Sequence, residues 1–184
     1  SLVVLGGFMN KASFAMIGSK SATDMKQLAG KKIGVGRVGD PPYHMAVSLL
    51  KKFHLTPRDV QWVSIGVDAA ARAAALQSGL VDAALITAPA YFRLQAAGLP
   101  VLATLLDHDD IYVSTYYLFR RDALGKERPA ALAYIKAHTE AIKRFYDDKA
   151  FAADVMIKHG GTRDREDANR VYDLVKYFFK LFWF

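Results

Sequence analysis

Short apolar runs alternate with amphipathic segments through the middle of the chain. Between residues 31 and 106 this pattern predicts four strands and three helices in strict alternation. The strands are KKIGVG, VQWVSI, VDAALI and PVLATLL, and the helices run from Pro42 to Phe53, Asp68 to Ser78 and Ala90 to Ala97. Elements of these lengths in this order are typical of an α/β lobe with a parallel sheet and right-handed crossovers.

Two further strand candidates flank this lobe, at Ala12 to Gly18 and at Ile111 to Phe119. We expect them to be crossing segments, as two connections would be if the lobe were inserted into another domain. The apolar opening from Leu2 to Leu5 also predicts a strand. The sequence therefore divides into residues 1–18, 19–110 and 111–184, of which the middle stretch is the complete lobe.

After Arg121 the pattern becomes helical. Pro129 to Tyr146 and Phe151 to Met156 have helical spacing, and a last helix is expected from about Asp164 into the aromatic sequence KYFFKLFWF. Because this tail has no polar end, we expect it to pack on a partner domain or to be cut short. The opening residues show no signal peptide, so the sequence is expected to begin inside a larger protein.

Composition narrows the function classes. The chain of 184 residues is 52% apolar and has no uninterrupted apolar stretch of the length, about 18 residues, that a membrane helix requires. It has no cysteine, which excludes disulfides, thiolate catalysis and cysteine metal sites. The net charge of +7 is scattered. Scattered basic residues predict no nucleic-acid partner but favour an anionic ligand through long-range attraction.

The segment KKIGVGRVGD, which leads directly into PPYHMAVSLL, is the strongest candidate for a ligand loop. Gly34, Gly36 and Gly39 match the pattern GxGxxG, which suggests a dinucleotide site. However, the helix is expected to begin only at Pro41, and no acidic residue stands at a strand end about 20 residues later, as a ribose would require. A loop for another ligand is favoured, and an ordinary tight turn remains the alternative.

Individual residues near this loop have two interpretations each. Arg37 offers a planar fork to a carboxylate, sulfonate or phosphate, or it is an exposed turn arginine. Asp40 is expected to cap the following helix, with a ligand amine as the alternative. His44 stands in the first helical turn, where it either contacts a ligand or is simply exposed.

No catalytic or metal-binding arrangement is predicted. The five histidines lack the spacing of zinc ligands, and His108-Asp109-Asp110 is more simply explained as a solvated connection. Serine-nucleophile, kinase and P-loop signatures are missing. We therefore predict no enzyme activity, no metal and no cofactor.

The order of several weak motifs carries a family resemblance. LAGKKIGVGRVGDPPYHMAVSLLKKFHL is followed by SGLVDAA at residues 78–84, TAP at 87–89 and AGLPV at 97–101. This order resembles the substrate-binding proteins of ABC importers, in the group that includes nitrate, sulfonate and thiamine-precursor binders. The resemblance implies a periplasmic-binding-protein-like α/β fold of type II. The sequence would hold one complete lobe, the hinge strands and the C-terminal helices of a second lobe whose N-terminal part is missing.

The resemblance also implies a function. The protein would bind a small anionic or polar organic solute in a cleft between its lobes, in the periplasm, and deliver it to an ABC permease in the inner membrane, as a monomer when full length. The implied ligand contacts are Met9, Asn10, Arg37, Gly39, Asp40, Pro41, Gly66, Val67, Thr87, Ala88 and Pro89. Most of these follow strands, where open α/β sheets bind ligands.

Two other functions share this fold. One is a cytosolic pyrimidine-precursor synthase of thiamine biosynthesis, although its cysteine-rich signature is missing from this sequence. The other is the effector-binding domain of a LysR-type regulator, which would follow a helix-turn-helix segment.

Overall fold

The structure is a computed structural model that describes residues 1–9, 11–108, 115–176 and 179–183. Two compact units are present, one formed by Ser1–Ala12 with Ile111–Phe184 and the other by Ser13–Asp110. The strands are β1 (Leu2–Met9), β2 (Phe14–Gly18), β3 (Lys32–Val35), β4 (Gln61–Ser64), β5 (Ala83–Thr87), β6 (Val101–Thr104), β7 (Thr115–Arg120) and β8 (Phe179–Trp183). The helices are α1 (Pro41–Lys52), α2 (Ala69–Gln77), α3 (Ala90–Ala96), α4 (Arg121–Lys126), α5 (Arg128–Asp147), α6 (Lys149–His159) and α7 (Arg165–Val175).

The unit Ser13–Asp110 is built on a five-stranded sheet in the order β4-β3-β5-β2-β6. Strand β3 pairs in parallel with β4 and β5, as the alternating pattern predicts. Strand β2 runs antiparallel between β5 and β6, so the sheet is mixed and not wholly parallel. Within the described residues 11–108 no α-helix connects β2 to β3, and the two strands are not neighbours, because β5 lies between them.

The segment Ala12 to Gly18 contributes strand β2 to the sheet of this lobe. Its role as a crossing segment remains a prediction. Its residues Met16 and Ile17 are fully buried. An inner strand needs apolar side chains on both faces, which explains the continuous run AMI in place of an alternating pattern.

Helix α1 covers this sheet with the face that its sequence predicts. Met45, Leu49 and Leu50 are buried, while Lys51 and Lys52 are exposed at its end. Two prolines occupy its first turn, where the missing N–H groups have no partner to lose. The helix therefore begins at a fixed point directly after the glycine loop.

The other unit has a three-stranded antiparallel sheet in the order β7-β1-β8, together with α4 to α7. The expectation of a strand at the beginning of the chain is confirmed by β1. The expected helix through KYFFKLFWF is wrong, because α7 ends at Val175 and Phe179–Trp183 form β8. Aromatic residues have high strand propensity, and here they have β1 as a pairing partner.

No helix in the described part of the chain is both long enough and apolar enough to cross a membrane.

Candidate functional site

Three loops lie together at the carboxyl edge of the five-stranded sheet. They follow β3, β4 and β5, which are neighbouring parallel strands. The first two loops are joined by a hydrogen bond of 2.9 Å from the Gly66 N–H to the Gly36 carbonyl oxygen. In the third, the Ala88 N–H donates to the Ser13 carbonyl oxygen at 3.4 Å. The edge therefore gathers most of the residues predicted to contact a ligand.

The first loop is organised by the Asp40 carboxylate. Its Oδ2 accepts a hydrogen bond from the Arg37 N–H at 2.8 Å, and its Oδ1 accepts one from the Tyr43 N–H at 2.8 Å. The Asp40 N–H in turn donates to the Arg37 carbonyl oxygen at 3.1 Å. The predicted capping role of Asp40 is confirmed, and Pro41 directly follows this cap as the first residue of α1.

Glycine is required at one point of this loop for space and at another for backbone conformation. A Cβ atom on Gly36 would lie 2.1 Å from the Asp40 Oδ2, which is far inside van der Waals contact. Gly39 has a φ of +91°, in the left-handed region that residues with a Cβ rarely adopt. The glycines thus serve the capped turn, and the match to GxGxxG does not indicate a dinucleotide site.

Arg37 presents its side chain to solvent at the tip of this loop. Its backbone is held on both sides by Asp40, but within the part of the chain that the structure describes no hydrogen bond or ion pair engages its guanidinium. A fixed backbone with an available side chain is suited to capture of an anion from solution.

The tip of the second loop is strongly exposed to solvent. Gly66 has a φ of +117°, and the side chain of Val67 is 87% exposed. Asp68 ends the loop and caps α2, since its Oδ1 accepts a hydrogen bond from the Ala70 N–H at 2.9 Å. An apolar side chain with so much exposure is available to contact a bound molecule.

The third loop is shorter and less exposed. Thr87 is the last residue of β5, and Ala88 and Pro89 lead directly into α3. All three are half-buried. These residues are therefore less accessible to a ligand than Arg37 and Val67 in the first two loops.

Comparison with protein families identifies the group to which this arrangement belongs. The family model described as "NMT1/THI5 like" matches residues 1–159. The chain belongs to the NMT1/THI5-like family. No curated protein matches it significantly.

Several solved structures similar to this NMT1/THI5-like chain are described as ligand-binding proteins. The alkanesulfonate-binding protein SsuA of Xanthomonas axonopodis pv. citri, bound to MOPS, is 19% identical with a TM-score of 0.79, over 94% of this chain and 59% of that one. The periplasmic aliphatic sulphonate binding protein SsuA of Escherichia coli is 19% identical with a TM-score of 0.79, over 98% and 61%. A ligand-binding component of an ABC-type import system of Staphylococcus aureus, with zinc bound, is 13% identical with a TM-score of 0.74, over 94% and 59%.

These matches establish the fold class. The NMT1/THI5-like chain has the periplasmic-binding-protein-like α/β fold that its sequence resemblance implies. The chain spans 59% and 61% of the length of the two SsuA proteins.

One buried cation of the NMT1/THI5-like chain was missed in the sequence. Arg72 of α2 is only 2% exposed, and its Nη1 donates to the Gly66 carbonyl oxygen at 2.9 Å. A signal was present, because Arg72 stands three and four residues before Ala75 and Leu76, which are on the buried face of α2.

The two predicted contact residues near the beginning of the chain are not among these three loops of the described structure. Met9 ends β1 in the other unit, where its Sδ accepts a hydrogen bond from the Thr115 hydroxyl at 3.4 Å. Asn10 lies outside the described residues. Their predicted role in ligand binding remains a prediction.

Possible metal ligands are scattered among the described residues, where no group of three or more occurs. In the cluster His108-Asp109-Asp110, the two aspartates lie outside the described ranges. His44 is exposed, and its ring contacts that of Tyr43 with centroids 5.3 Å apart.

Proposed function

We propose that this chain is the solute-binding component of an ABC importer that takes a small organic anion at the carboxyl edge of the five-stranded sheet. It would deliver this solute from the periplasm to a permease in the inner membrane. The family match and the similarity to periplasmic binding proteins support this function. Similarity to a component of an ABC-type import system supports the permease as partner.

Arg37 is the observation that carries the proposal. Its backbone is fixed by two hydrogen bonds with Asp40, and its side chain is exposed on the loop that the Gly36–Gly66 hydrogen bond joins to the second loop. A guanidinium pairs with the oxygens of sulfonates, carboxylates and phosphates through parallel hydrogen bonds. Because the loop is already ordered by the cap, binding would cost little backbone conformational entropy.

We propose organic sulfonates as the first class of solute to test. The two SsuA proteins are described as binding alkanesulfonates and aliphatic sulphonates, and one of them holds MOPS, itself a sulfonic acid. The net charge of +7 also favours an anion over a neutral solute.

Titration calorimetry with ethanesulfonate, MOPS and nitrate tests this function. We expect saturable binding of at least one sulfonate and a loss of about 1.5 to 3 kcal/mol of binding free energy in Arg37→Ala. Arg37→Lys should recover only part of this loss, because an ammonium cannot form the planar fork.

Arg58→Ala is the matched control, because Arg58 is also exposed in the same unit but stands before β4, away from the three loops. Its binding constants should equal those of the wild type. If nitrate binds to the wild-type chain but neither sulfonate does, the proposed solute class is wrong, and if none of the three anions binds, the proposed function is wrong. If Arg37→Ala binds as tightly as the wild type, the role of Arg37 is wrong.

A further inference from the structure

Two charged side chains, Arg72 and Asp167, are buried among the described residues, and Arg72 is the cation. It is only 2% exposed and is the largest of the fully buried side chains. Its helix α2 reads AAARAAALQ, so Arg72 is the one charged residue of that helix. Burial of a long cationic side chain in an alanine-rich helix is costly and calls for a specific role.

The guanidinium of Arg72 joins the second loop to strand β5 through two backbone carbonyl groups. Its Nε donates to the Leu85 carbonyl oxygen at 2.8 Å, two residues before the third loop. Its Nη1 donates to the Gly66 carbonyl oxygen at 2.9 Å in the second loop. These bonds use two of five N–H donors, and no further hydrogen bond of this side chain is found among the described residues.

No carboxylate of the described residues forms an ion pair with this cation. Burial lowers the pKa of the Arg72 guanidinium, while the negative charges of Asp40 and Asp68 act in the opposite direction. Both carboxylates already accept backbone hydrogen bonds as helix caps. The guanidinium therefore lacks a hydrogen-bonded counterion in the described part of the chain.

The location of this charge links it to the ligand loops. The Gly66 residue that Arg72 holds also donates its N–H to the Gly36 carbonyl oxygen in the first loop. Arg72 thus holds the second loop directly, the first loop through Gly66, and β5 just before the third loop. An anion at the same edge would add to the favourable interactions of this buried charge with Asp40 and Asp68, whereas a neutral molecule would add nothing.

We propose that Arg72 is a specificity-determining residue that selects anionic over neutral ligands at the carboxyl edge of the sheet. It acts through its buried positive charge and through the Gly66 carbonyl, so it is a positioning residue that does not need to touch the ligand. This inference rests on the proposed function, because it assumes that the three loops bind a solute.

Two probe ligands of similar shape distinguish an effect of the Arg72 charge from a structural effect of its replacement. Ethanesulfonate is an anion, and ethyl methyl sulfone is a neutral molecule of nearly the same shape. Their affinities for the full chain are measured by ligand-detected NMR, which reports weak binding. In Arg72→Met we expect the affinity for ethanesulfonate to fall about tenfold or more. The affinity for the sulfone should stay within about twofold, because a neutral ligand gains little from the charge.

Arg72→Lys is the second variant, since it keeps the charge but not the two directed hydrogen bonds. It should retain the preference for ethanesulfonate, and this expectation stands even if Arg72→Met does not fold by circular dichroism. Loss of the preference in Arg72→Lys would overturn the proposal. Arg58→Met is the control for removal of one exposed positive charge and should change neither affinity.

The remaining outcomes separate this inference from the proposed function. Equal losses for both probes in Arg72→Met would show a purely structural role and overturn the inference, as would no loss for either. If the wild type binds sulfonates and weakens in Arg37→Ala while Arg72→Met is unchanged, the inference alone is wrong. If the wild type binds none of the anions, the proposed function is wrong and this inference is wrong with it.

Discussion

At the scale of single residues, the candidate site depends on a carboxylate that has a structural task. Asp40 holds the Arg37 and Tyr43 N–H groups and so fixes the first loop before any ligand arrives. The side chain that remains available is that of Arg37. The proposed binding role of Arg37 therefore depends on the capping role of Asp40.

The first prediction concerns Gly36. Gly36→Ala should lower the free energy of unfolding by about 1 to 3 kcal/mol, because its Cβ would overlap the Asp40 carboxylate and force the cap to shift. Urea unfolding followed by circular dichroism measures this change. Gly125→Ala is the control, since nothing lies within 4 Å of a Cβ at this position in α4. Equal stability of the two variants would show that the loop has room for a side chain.

At the scale of elements, the antiparallel strand β2 holds the five-stranded sheet together. It pairs with β5 along its whole length and with β6 on its other side. The three strands that carry the ligand loops are therefore supported by a strand that carries none of them. Loss of packing at β2 should affect all three loops together.

The second prediction tests this support. Met16→Ala should destabilise the unit by about 2 to 5 kcal/mol, because Met16 is completely buried and its removal leaves a cavity. Val38→Ala is the comparison, since Val38 is 52% exposed and its truncation should have almost no effect. Denaturant midpoints of both variants decide the question. A Met16→Ala midpoint equal to that of Val38→Ala would contradict the assigned core.

Sequence reasoning succeeded for elements with local signals. The alternation of strands and helices, the cap at Asp40 and the start of α1 follow from spacing and capping residues within a few positions. The position of β2 was not predictable in the same way, because its partners β5 and β6 are distant in sequence. The strand β8 was missed because KYFFKLFWF is equally apolar in either periodicity, and only pairing with β1 decides between them.

The site was predictable to the extent that it consists of loops after strands. Open α/β sheets bind ligands at that edge, so the three loops could be named from the strand order alone. Arg72 could not be assigned in this way, because a charged residue in a helix usually points to solvent. Only its hydrogen bonds to two carbonyl groups show why it is buried.

At the scale of the whole molecule, one buried tyrosine makes stability depend on pH. Tyr91 of α3 is only 6% exposed, and burial, assisted by the negative charge of Asp107, raises its pKa to about 12. The unfolded chain would have the ordinary value of about 10. Because the folded state binds this proton more tightly, the contribution to stability is complete below about pH 10 and is lost as the pH rises towards 12.

The third prediction follows from this difference. Between pH 8 and pH 11 the wild type should lose more unfolding free energy than Tyr91→Phe, because phenylalanine has no proton to release. Urea titrations at each pH measure both curves. Parallel curves for the two proteins would show that Tyr91 ionises equally well in the folded and unfolded states.

The central place of β2 has a consequence for synthesis on the ribosome. Phe14–Gly18 are translated before every strand with which they pair, and the last partner, Val101–Thr104, comes much later. At about 5–20 residues per second, the apolar segment AMI waits several seconds for its neighbours. During this interval it is a target for chaperones and for association with other nascent chains.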